Sequence, residues 1–561
     1  MIMACEKMNK NIRRTLTGAP AAALGLLLAL SLGPHSAGAF MPDSDYLGDH
    51  QALETLQREA FLYMWEDGDP HSGLAYEANF GWEVRPAAVG GSGFGAAAVV
   101  VAVDRGWISR DQGLARLLKI AKFLTAVSEA HPEWHGGFPH WLNGQTGRVF
   151  NYGDGDDVID TVETALLMQG LLIARAYFNG PGSEAELREL ITELWRAVEW
   201  DWFTNCHQEE NGLYWHWSPQ KGFLGLKIRG YNEALITYVL AMASPTHPIS
   251  RKAYDYWTSG PDYRVRNVFG YRLEGAPSGG GPLFLAHYSF VGLDPRRLAD
   301  SRVPGGYFAR NIAQTLSNRG YCLQNAPAEH RYGPGFWGLT ACQIEDGYTA
   351  SSPENDRGTV APTAALSSLP YTPHYSLEVL HNLHRVLNGR AWSWYGPLDA
   401  VNLRDSWVSP HYLAIDQLPM VLMVENYRSG LLWNLMMSDP EIRTGLERAG
   451  LKPPELAEGF PEAIVTQIRN GRKYLADAYE IRRHPDSGLY AVPFWCTEAG
   501  PVNMSISGPD EGPPLMETTV KAGRGRNYLT FAQFRRNDGQ LLTLTMTTAE
   551  GKEYRLPLRL H

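Results

Sequence analysis

Three carboxyl groups, Asp156, Asp160 and Glu163, follow one another at spacings of four and three residues in NYGDGDDVIDTVETALLMQG, residues 151–170. If a helix begins at Asp156 or Asp157, that spacing places all three on one face, with Asp157 pointing elsewhere. Such a row suits cleavage of a glycosidic bond. That reaction needs one protonated carboxyl to donate to the leaving oxygen and one ionised carboxyl to activate water or attack. Glu163 is followed by TALLMQGLLIA, so its surroundings are expected to be apolar and its pKa raised, as a general acid requires. Glu233 in IRGYNEALITYVLA stands in the same relation to an apolar helix, with Arg229 and Tyr231 beside it. Asp160, Glu163 and Glu233 are therefore the candidate catalytic residues, with Asp156 as a substrate contact. The plainer alternative for Asp156 and Asp157 is that they cap free N–H groups in a first turn where the helix dipole favours acids.

Aromatic residues alternate with Gly, Asn, His and acids in HPEWHGGFPHWLNGQTGRVFNYGDGDD, ENGLYWHWSPQKGFLGLKIRGYNE and EHRYGPGFWGLTACQIEDGYTA. Flat rings stack on the apolar faces of sugars while short polar groups bond the hydroxyls, so a cleft made of such loops suits a carbohydrate. His135, His140 and Trp141, with Arg229 and Tyr231, are read as substrate contacts; any one aromatic taken alone would serve as well to fill the core beneath a long loop. His135 and His140 lie five apart around Gly-Gly, a poor metal geometry, and no cysteines have metal-ligand spacing, so neither metal nor cofactor is expected. Asp416 and Glu425 in HYLAIDQLPMVLMVENYRSG are further candidates to face the same cleft; the alternative pairs them with Arg428 or Arg404. No G-x-S-x-G elbow follows a strand, and no glycine-rich turn has the setting of a nucleotide-binding fold.

These side chains need a scaffold, and the periodicity of the chain supplies a helical one. Apolar residues at three- and four-residue spacing predict helices near Ala52–Trp65, Gly93–Asp104, Arg110–Ala130, Asp157–Phe178, Ser183–Trp202, Asn232–Ala243, Tyr307–Leu316, Thr359–Ser368, Tyr375–Leu387, His411–Ser438 (broken) and Pro461–Tyr479. Consecutive helical hairpins with long loops suggest a mainly α fold, an α/α toroid whose inner helices line a central cleft. A solenoid is disfavoured because no regular repeat is present. Near the C-terminus, NYLTFAQF, QLLTLTMTT and EYRLPLRL are short and rich in Thr, Leu, Tyr and Phe, with NDG and AEGK turn signals between them. They predict a small antiparallel β-unit. The expected division is a leader at 1–39, a helical catalytic domain at 40–495 and the β-unit at 496–561.

The leader has its own signature: Lys7, Lys10, Arg13 and Arg14 precede the apolar AAALGLLLALSL, and Ala37 and Ala39 offer the small residues a signal peptidase accepts. Export to the periplasm or medium is expected. Cleavage before Phe40 would take the net charge from −10 to about −13, which excludes nucleic acid as a natural partner. No other stretch reaches the roughly eighteen apolar residues that a membrane span requires, and a monomer acting on a glycan is expected. With 561 residues, 44% of them hydrophobic, and 17 Trp, 27 Tyr and 19 Phe, the chain can bury a large core. Cys322 and Cys342 suit either a disulfide or buried thiols.

Five segments in fixed order carry a further signal: GSGFGAAAVVVAVDRGWISRDQGLARLLKIAKFL, GGFPHWLNGQTGRV, DVIDTVETALLMQGLLIA, YNEALITYVLA and HYLAIDQLPMVLMVENYRSGLLW. Together they resemble glycoside hydrolase family 144, of the glycoamylase-like domain group also found in cyclic β-1,2-glucan synthases, over roughly residues 45–490. The resemblance implies an (α/α)6 toroid that cleaves β-1,2-glucan with anomeric inversion, releasing sophorose or longer β-1,2-linked oligosaccharides. It also implies a proton relay through a substrate hydroxyl in this group. Its acidic motif falls on Asp156, Asp160 and Glu163, and its YNE glutamate on Glu233. GSGFG corresponds to the family's turn into an inner helix. Two other classes stay open on the residues alone. A lyase on a uronate-containing glycan would use Tyr and His bases with Arg, Lys or Asn neutralising the carboxylate. A non-catalytic periplasmic glycan-binding protein would need the aromatic loops but neither glutamate.

Overall fold

The computed structural model describes residues 49–151, 158–206, 212–225 and 227–453, together with strands between Tyr474 and Leu560. The expected leader and Asp156 lie outside the described residues. Among those described are thirteen α-helices, nine of which fall into two kinds. Helices α1 (Asp49–Asp67), α3 (Arg110–Ala130), α5 (Ser183–Ala197), α7 (Arg251–Thr258) and α13 (Pro440–Ala449) are amphipathic or mixed. On α3, for example, Gly113, Leu117, Ile120, Ala121, Leu124 and Val127 are buried and the charged residues face out. By contrast α2 (Val89–Asp104), α4 (Thr161–Tyr177), α6 (Leu235–Ala243) and α11 (Ala414–Arg428) are buried nearly all round. An all-apolar helix such as VGGSGFGAAAVVVAVD has no face that favours water and must lie inside other helices.

Packing follows that division: α2 lies against α4 and α11, α4 against α6, and the partly exposed α3 and α13 cover α5 and α6. The remaining helices are α8 (Tyr307–Gln324), α9 (Pro362–Ser367), α10 (Pro373–Leu383) and α12 (Leu431–Ser438). One continuous hydrophobic cluster runs from Ala52 to Leu451. Local signals set the helix ends. Ser109 and Gln112 form a reciprocal capping box at the start of α3, while Asp439 caps α13, which begins with Pro440 and ends at Gly450 in the left-handed region (φ 67°).

Several expectations shift. The fourth helix starts at Thr161 rather than Asp157, because Ile159–Asp160 is a strand. GSGFG lies inside α2 and is not a turn. Its glycines permit close helix crossing: a Cβ on Gly93 would sit 2.2 Å from the Leu166 carbonyl oxygen, and one on Gly170 would sit 1.7 Å from the Gly93 carbonyl. Gly170→Ala is expected to destabilise the protein by more than about 2 kcal/mol, since backbone on both sides must separate; a lower urea midpoint checks it. Tyr474–Ala476 is a strand, where the last predicted helix was expected, and most of that segment lies outside the described residues.

Strands at the C-terminus pair as Tyr474–Ala476 with Leu489–Cys496 and Gly525–Ala532, and as a five-stranded sheet that includes Gly500–Ser507, Met516–Ala522, Leu541–Thr548 and Glu553–Leu560. The described β structure thus begins ahead of residue 496. Cys322 and Cys342 are buried free thiols, so the disulfide alternative does not apply.

Short strands near the N-terminal ends of α2 and α4 matter most for chemistry. Strand β1 (Pro86–Ala88) pairs with β3 (Trp141–Asn143), with Ala88 opposite Trp141. Strand β2 (Phe138–Pro139) pairs with β4 (Ile159–Asp160), and β4 with β5 (His216–Ser218), which also pairs with β6 (Gly222–Phe223).

Candidate active site

A narrow cleft is lined by His140, Asp160, Val162, Glu163, Leu166, Trp215, Glu233, Tyr288 and Ile415. All three candidate catalytic acids therefore meet in one place. The route by which they meet differs from a shared helix face.

Asp160 ends β4 and caps α4: its Oδ1 accepts from the backbone N–H groups of Val162 and Glu163, each at 2.9 Å. The β4–β5 register sets Asp160 opposite His216, whose Nε2 is 3.3 Å from Oδ2; Trp215 Nε1 also donates to Oδ2 at 3.3 Å, and His140 Nδ1 lies 3.5 Å away. Thr164 Oγ1 donates to the Asp160 carbonyl at 2.7 Å and accepts from the Phe138 N–H at 2.8 Å, tying β2 to the helix start. Burial works against ionisation, but the bonds from His140 and His216 outweigh it, so the Asp160 carboxyl is held far below the usual range. Both of its oxygens are committed, which leaves it an ionised anchor.

Glu163 lies in the first turn of α4, buried as its apolar sequence suggested. Its Oε2 accepts from the Gly90 N–H at 2.8 Å, at the first turn of α2, while Oε1 faces His140 Nε2 at 3.7 Å. Position 90 has to be glycine for this, because a Cβ there would lie 2.4 Å from Oε2. Burial raises the Glu163 pKa, helped by Asp160 and Glu77; His140 and the Gly90 amide work the other way without cancelling the rise. His140 is raised in turn: burial opposes its charge, and Glu163, Asp160 and Glu77 favour it more strongly.

Glu233 precedes α6 and is 7% exposed. Burial pushes its carboxyl up to about 7, Asp160 adds to the rise, and only its own backbone amide opposes it among the described residues. The surrounding chain is fixed instead: Ser289 donates its hydroxyl to the Glu233 carbonyl, and Trp257 Nε1 donates to Asn232 Oδ1 at 3.1 Å. Two buried glutamates are thus set apart by their support. One accepts from the first turn of α2 beside an imidazole, and the other has no such partner among the described residues.

The other sequence candidates divide. His140 lines the cleft, and Trp141 lies against it with ring centroids 3.9 Å apart. His135 is elsewhere, bonded to Glu199 at 2.8 Å and stacked on Trp202 at 3.9 Å. Arg229 is exposed, donates to Ser259 and lies over Tyr256. Tyr231 is packed beneath Arg310, whose guanidinium is 3.7 Å above its ring. Neither Arg229 nor Tyr231 lines the described cleft. Glu425 is fully buried in a bidentate pair with Arg105, both bonds 2.8 Å, and not with Arg428, which pairs with Glu54. Asp416 stands next to the cleft residue Ile415 and faces the buried Asp399 rather than Arg428 or Arg404. Burial is the main cause that raises the pKa of both carboxyls.

Reasoning from sequence missed His216, Trp215, Tyr288, Asp399 and Glu77. Trp215 and His216 sit in one of the aromatic loops already singled out; Tyr288 and Asp399 carry no local mark. No arginine or lysine lines the described cleft, so a uronate carboxylate would meet acids there.

Comparisons with known proteins place relatives beside this chain. The model of the Glycoamylase family, described as glucoamylase, matches residues 225–440. An exo β-1,2-glucooligosaccharide sophorohydrolase (non-reducing end) from Parabacteroides distasonis is 40% identical over 424 residues, 71% of this chain. The chain spans 58% of the length of that curated relative. The solved endo-β-1,2-glucanase from Chitinophaga pinensis, in complex with sophorotriose and glucose, is 42% identical; the match covers 72% of this chain and 99% of that one, with a TM-score of 0.67. An endo-β-1,2-glucanase from Talaromyces funiculosus, solved with sophorose, shares the fold at 11% identity, with a TM-score of 0.52 over 71% of this chain and 88% of that one.

Proposed function

Since the chain belongs to glycoside hydrolase family 144, the glycoamylase-like group, we propose that it hydrolyses β-1,2-glucan, releasing sophorose or longer β-1,2-linked oligosaccharides. The observation that carries the reading is the pair of buried glutamates with raised pKa values, lining one cleft with an ionised Asp160 between two histidines. A non-catalytic binding protein has no need of such acids, since each costs stability to bury.

Roles follow from the support each carboxyl receives. Glu233, desolvated and with no donor among the described residues beyond its own backbone amide, is the general acid, protonated near neutral pH and placed to donate to the leaving oxygen. Glu163, raised to about 7 like Glu233 but with the Gly90 amide and His140 supporting its ionised form, acts on the water side, directly or through a sugar hydroxyl. Asp160 orients: it holds His140, His216 and the first turn of α4 while remaining charged. Inversion at the anomeric carbon is part of the proposal and rests on the family.

For architecture, we propose that the buried helices α2, α4, α6 and α11 belong to the inner ring of an (α/α)6 toroid. Their burial on all sides, beside more exposed partners, supports this, as does the shared fold with the Talaromyces enzyme. Export rests on the leader-like first 39 residues. No helix among the described residues is long and apolar enough to cross a membrane.

The test is to incubate the protein with linear β-1,2-glucan, laminarin and cellulose, following product size and anomeric form. β-1,2-Linked products appearing first as the α-anomer are expected. Action confined to β-1,3- or β-1,4-glucan would reject the substrate, and an initial β-anomer would reject inversion.

A further inference from the structure

We propose that Glu77, with Trp141 and His140, forms a glucosyl-binding subsite beside the reactive carboxyls, in which the free oxygen of Glu77 accepts a hydrogen bond from a sugar hydroxyl. The inference rests on the β-1,2-glucan reading and adds to it a residue that no sequence motif marks.

Glu77 lies between α1 and β1, and its backbone is fixed on both sides. Its N–H donates to the Pro86 carbonyl at 2.9 Å, and its carbonyl accepts from the Ala414 N–H at 2.9 Å, at the start of α11. Its Oε2 accepts from Trp141 Nε1 at 3.1 Å. Oε1 takes no bond from any described residue, and the side chain is partly exposed. The indole that Glu77 pins is itself partly exposed and packs on His140, which lines the cleft with Asp160 and Glu163. Glu77 is near enough for His140, Glu163, Asp399 and Asp416 all to feel its charge.

A carboxyl is a costly way merely to hold an indole. Glutamine or a backbone carbonyl would accept the same N–H without burying an acid among acids, and loss of water raises the Glu77 pKa accordingly. What a carboxyl adds is a second acceptor oxygen in a fixed place. Next to it stand an aromatic ring and an imidazole, the groups that a sugar's apolar face and hydroxyls require. The site would take a glucosyl unit neighbouring the bond being cleaved.

Steady-state kinetics of Glu77→Ala, Glu77→Gln and Trp141→Phe on β-1,2-glucooligosaccharides of defined length test this. Loss of a charged acceptor is expected to raise KM by ~10-fold or more in Glu77→Ala, with kcat changed less than about threefold. Glu77→Gln keeps an acceptor for the indole but puts an N–H where the second acceptor oxygen stood, so it should recover only part of that loss, and its pH–rate profile should shift modestly because His140 and Glu163 no longer feel the charge. Adding Trp141→Phe to Glu77→Ala should raise KM little further, because the two act as one unit. The proposal is overturned if both variants lower kcat and shift the pH–rate profile more than they raise KM, which would mean that Glu77 acts only by its charge on His140. Unchanged KM in both variants overturns it equally. Calorimetric titration of the same oligosaccharides into Glu233→Gln, with and without Glu77→Ala, reads binding apart from turnover and should show the same loss. Wild-type protein that leaves β-1,2-glucan intact would overturn the functional reading itself, a result visible before any variant is made.

Discussion

Glu233→Gln is expected to lower kcat on β-1,2-glucan by ~10³-fold while leaving KM within a few-fold, because it removes the proton donor and keeps the shape of the side chain. It is also expected to make the protein more stable at alkaline pH. The folded pKa of about 7 lies above the ordinary glutamate value of 4.5, so the folded state holds this proton more tightly than the unfolded chain. Stability attached to the group is therefore undiminished below pH 4.5, falls as pH rises to 7, and above that carries the full penalty of an ionised buried carboxyl, of order 3 kcal/mol. Glutamine carries no such penalty. The difference in Tm between variant and wild type should be smallest near pH 4.5 and largest at pH 8, and wild-type kcat should decline above pH 7 as the acid loses its proton. Initial rates and thermal melts across this range check both statements. A variant that keeps more than a tenth of wild-type kcat would remove Glu233 from the acid role.

Asp160 has two duties, and two substitutions separate them. Asp160→Ala loses the cap on α4 and leaves His140, His216 and Trp215 without their shared acceptor. A loss of about 3 kcal/mol is expected, as for other buried charge pairs with one partner removed. Asp160→Asn keeps an oxygen for the cap and should cost less stability. It removes the charge that helps to hold His140 above its ordinary pKa, and so shifts the electrostatic balance at Glu163. kcat in Asp160→Asn should fall by ~10²-fold, with a displaced pH profile. The stability signature has the opposite sign to that of Glu233. The folded pKa of Asp160 is depressed, so its contribution is present above the ordinary aspartate value of 3.8 and is lost as pH falls below it. Urea unfolding at pH 7 should separate wild type from both variants, and the gap should narrow at pH 3. Equal urea midpoints at pH 7 would show that the network around Asp160 contributes little to the fold.

Local chemistry was readable wherever a short stretch of chain contains its own cause. The apolar run after Glu163 does bury that carboxyl, and α3 spans the predicted Arg110–Ala130 because its capping box and its apolar stripe lie within it. The all-apolar α2 had to be internal, and the broken helix after His411 does divide, at Ser429–Gly430 between α11 and α12. His135 and His140 show where this reasoning stops. Both stand in one aromatic loop, yet His140 reaches the cleft, while His135, in the left-handed region at φ 53°, turns onto Trp202 and Glu199.

Composition and periodicity by themselves determined that this protein is a helical scaffold with buried acids beside aromatic loops, because burial and helix periodicity act over a few residues. Which groups share the cleft was decided only by tertiary structure. Strand register brought His216 to Asp160, a close crossing of two glycine-bearing helices brought Gly90 to Glu163, and packing of α11 fixed Glu77 beside Trp141. The same applies to Glu425, whose partner proved to be Arg105, 320 residues away in sequence. Pairings of that kind depend on how distant segments meet, and no local pattern of residue types records it.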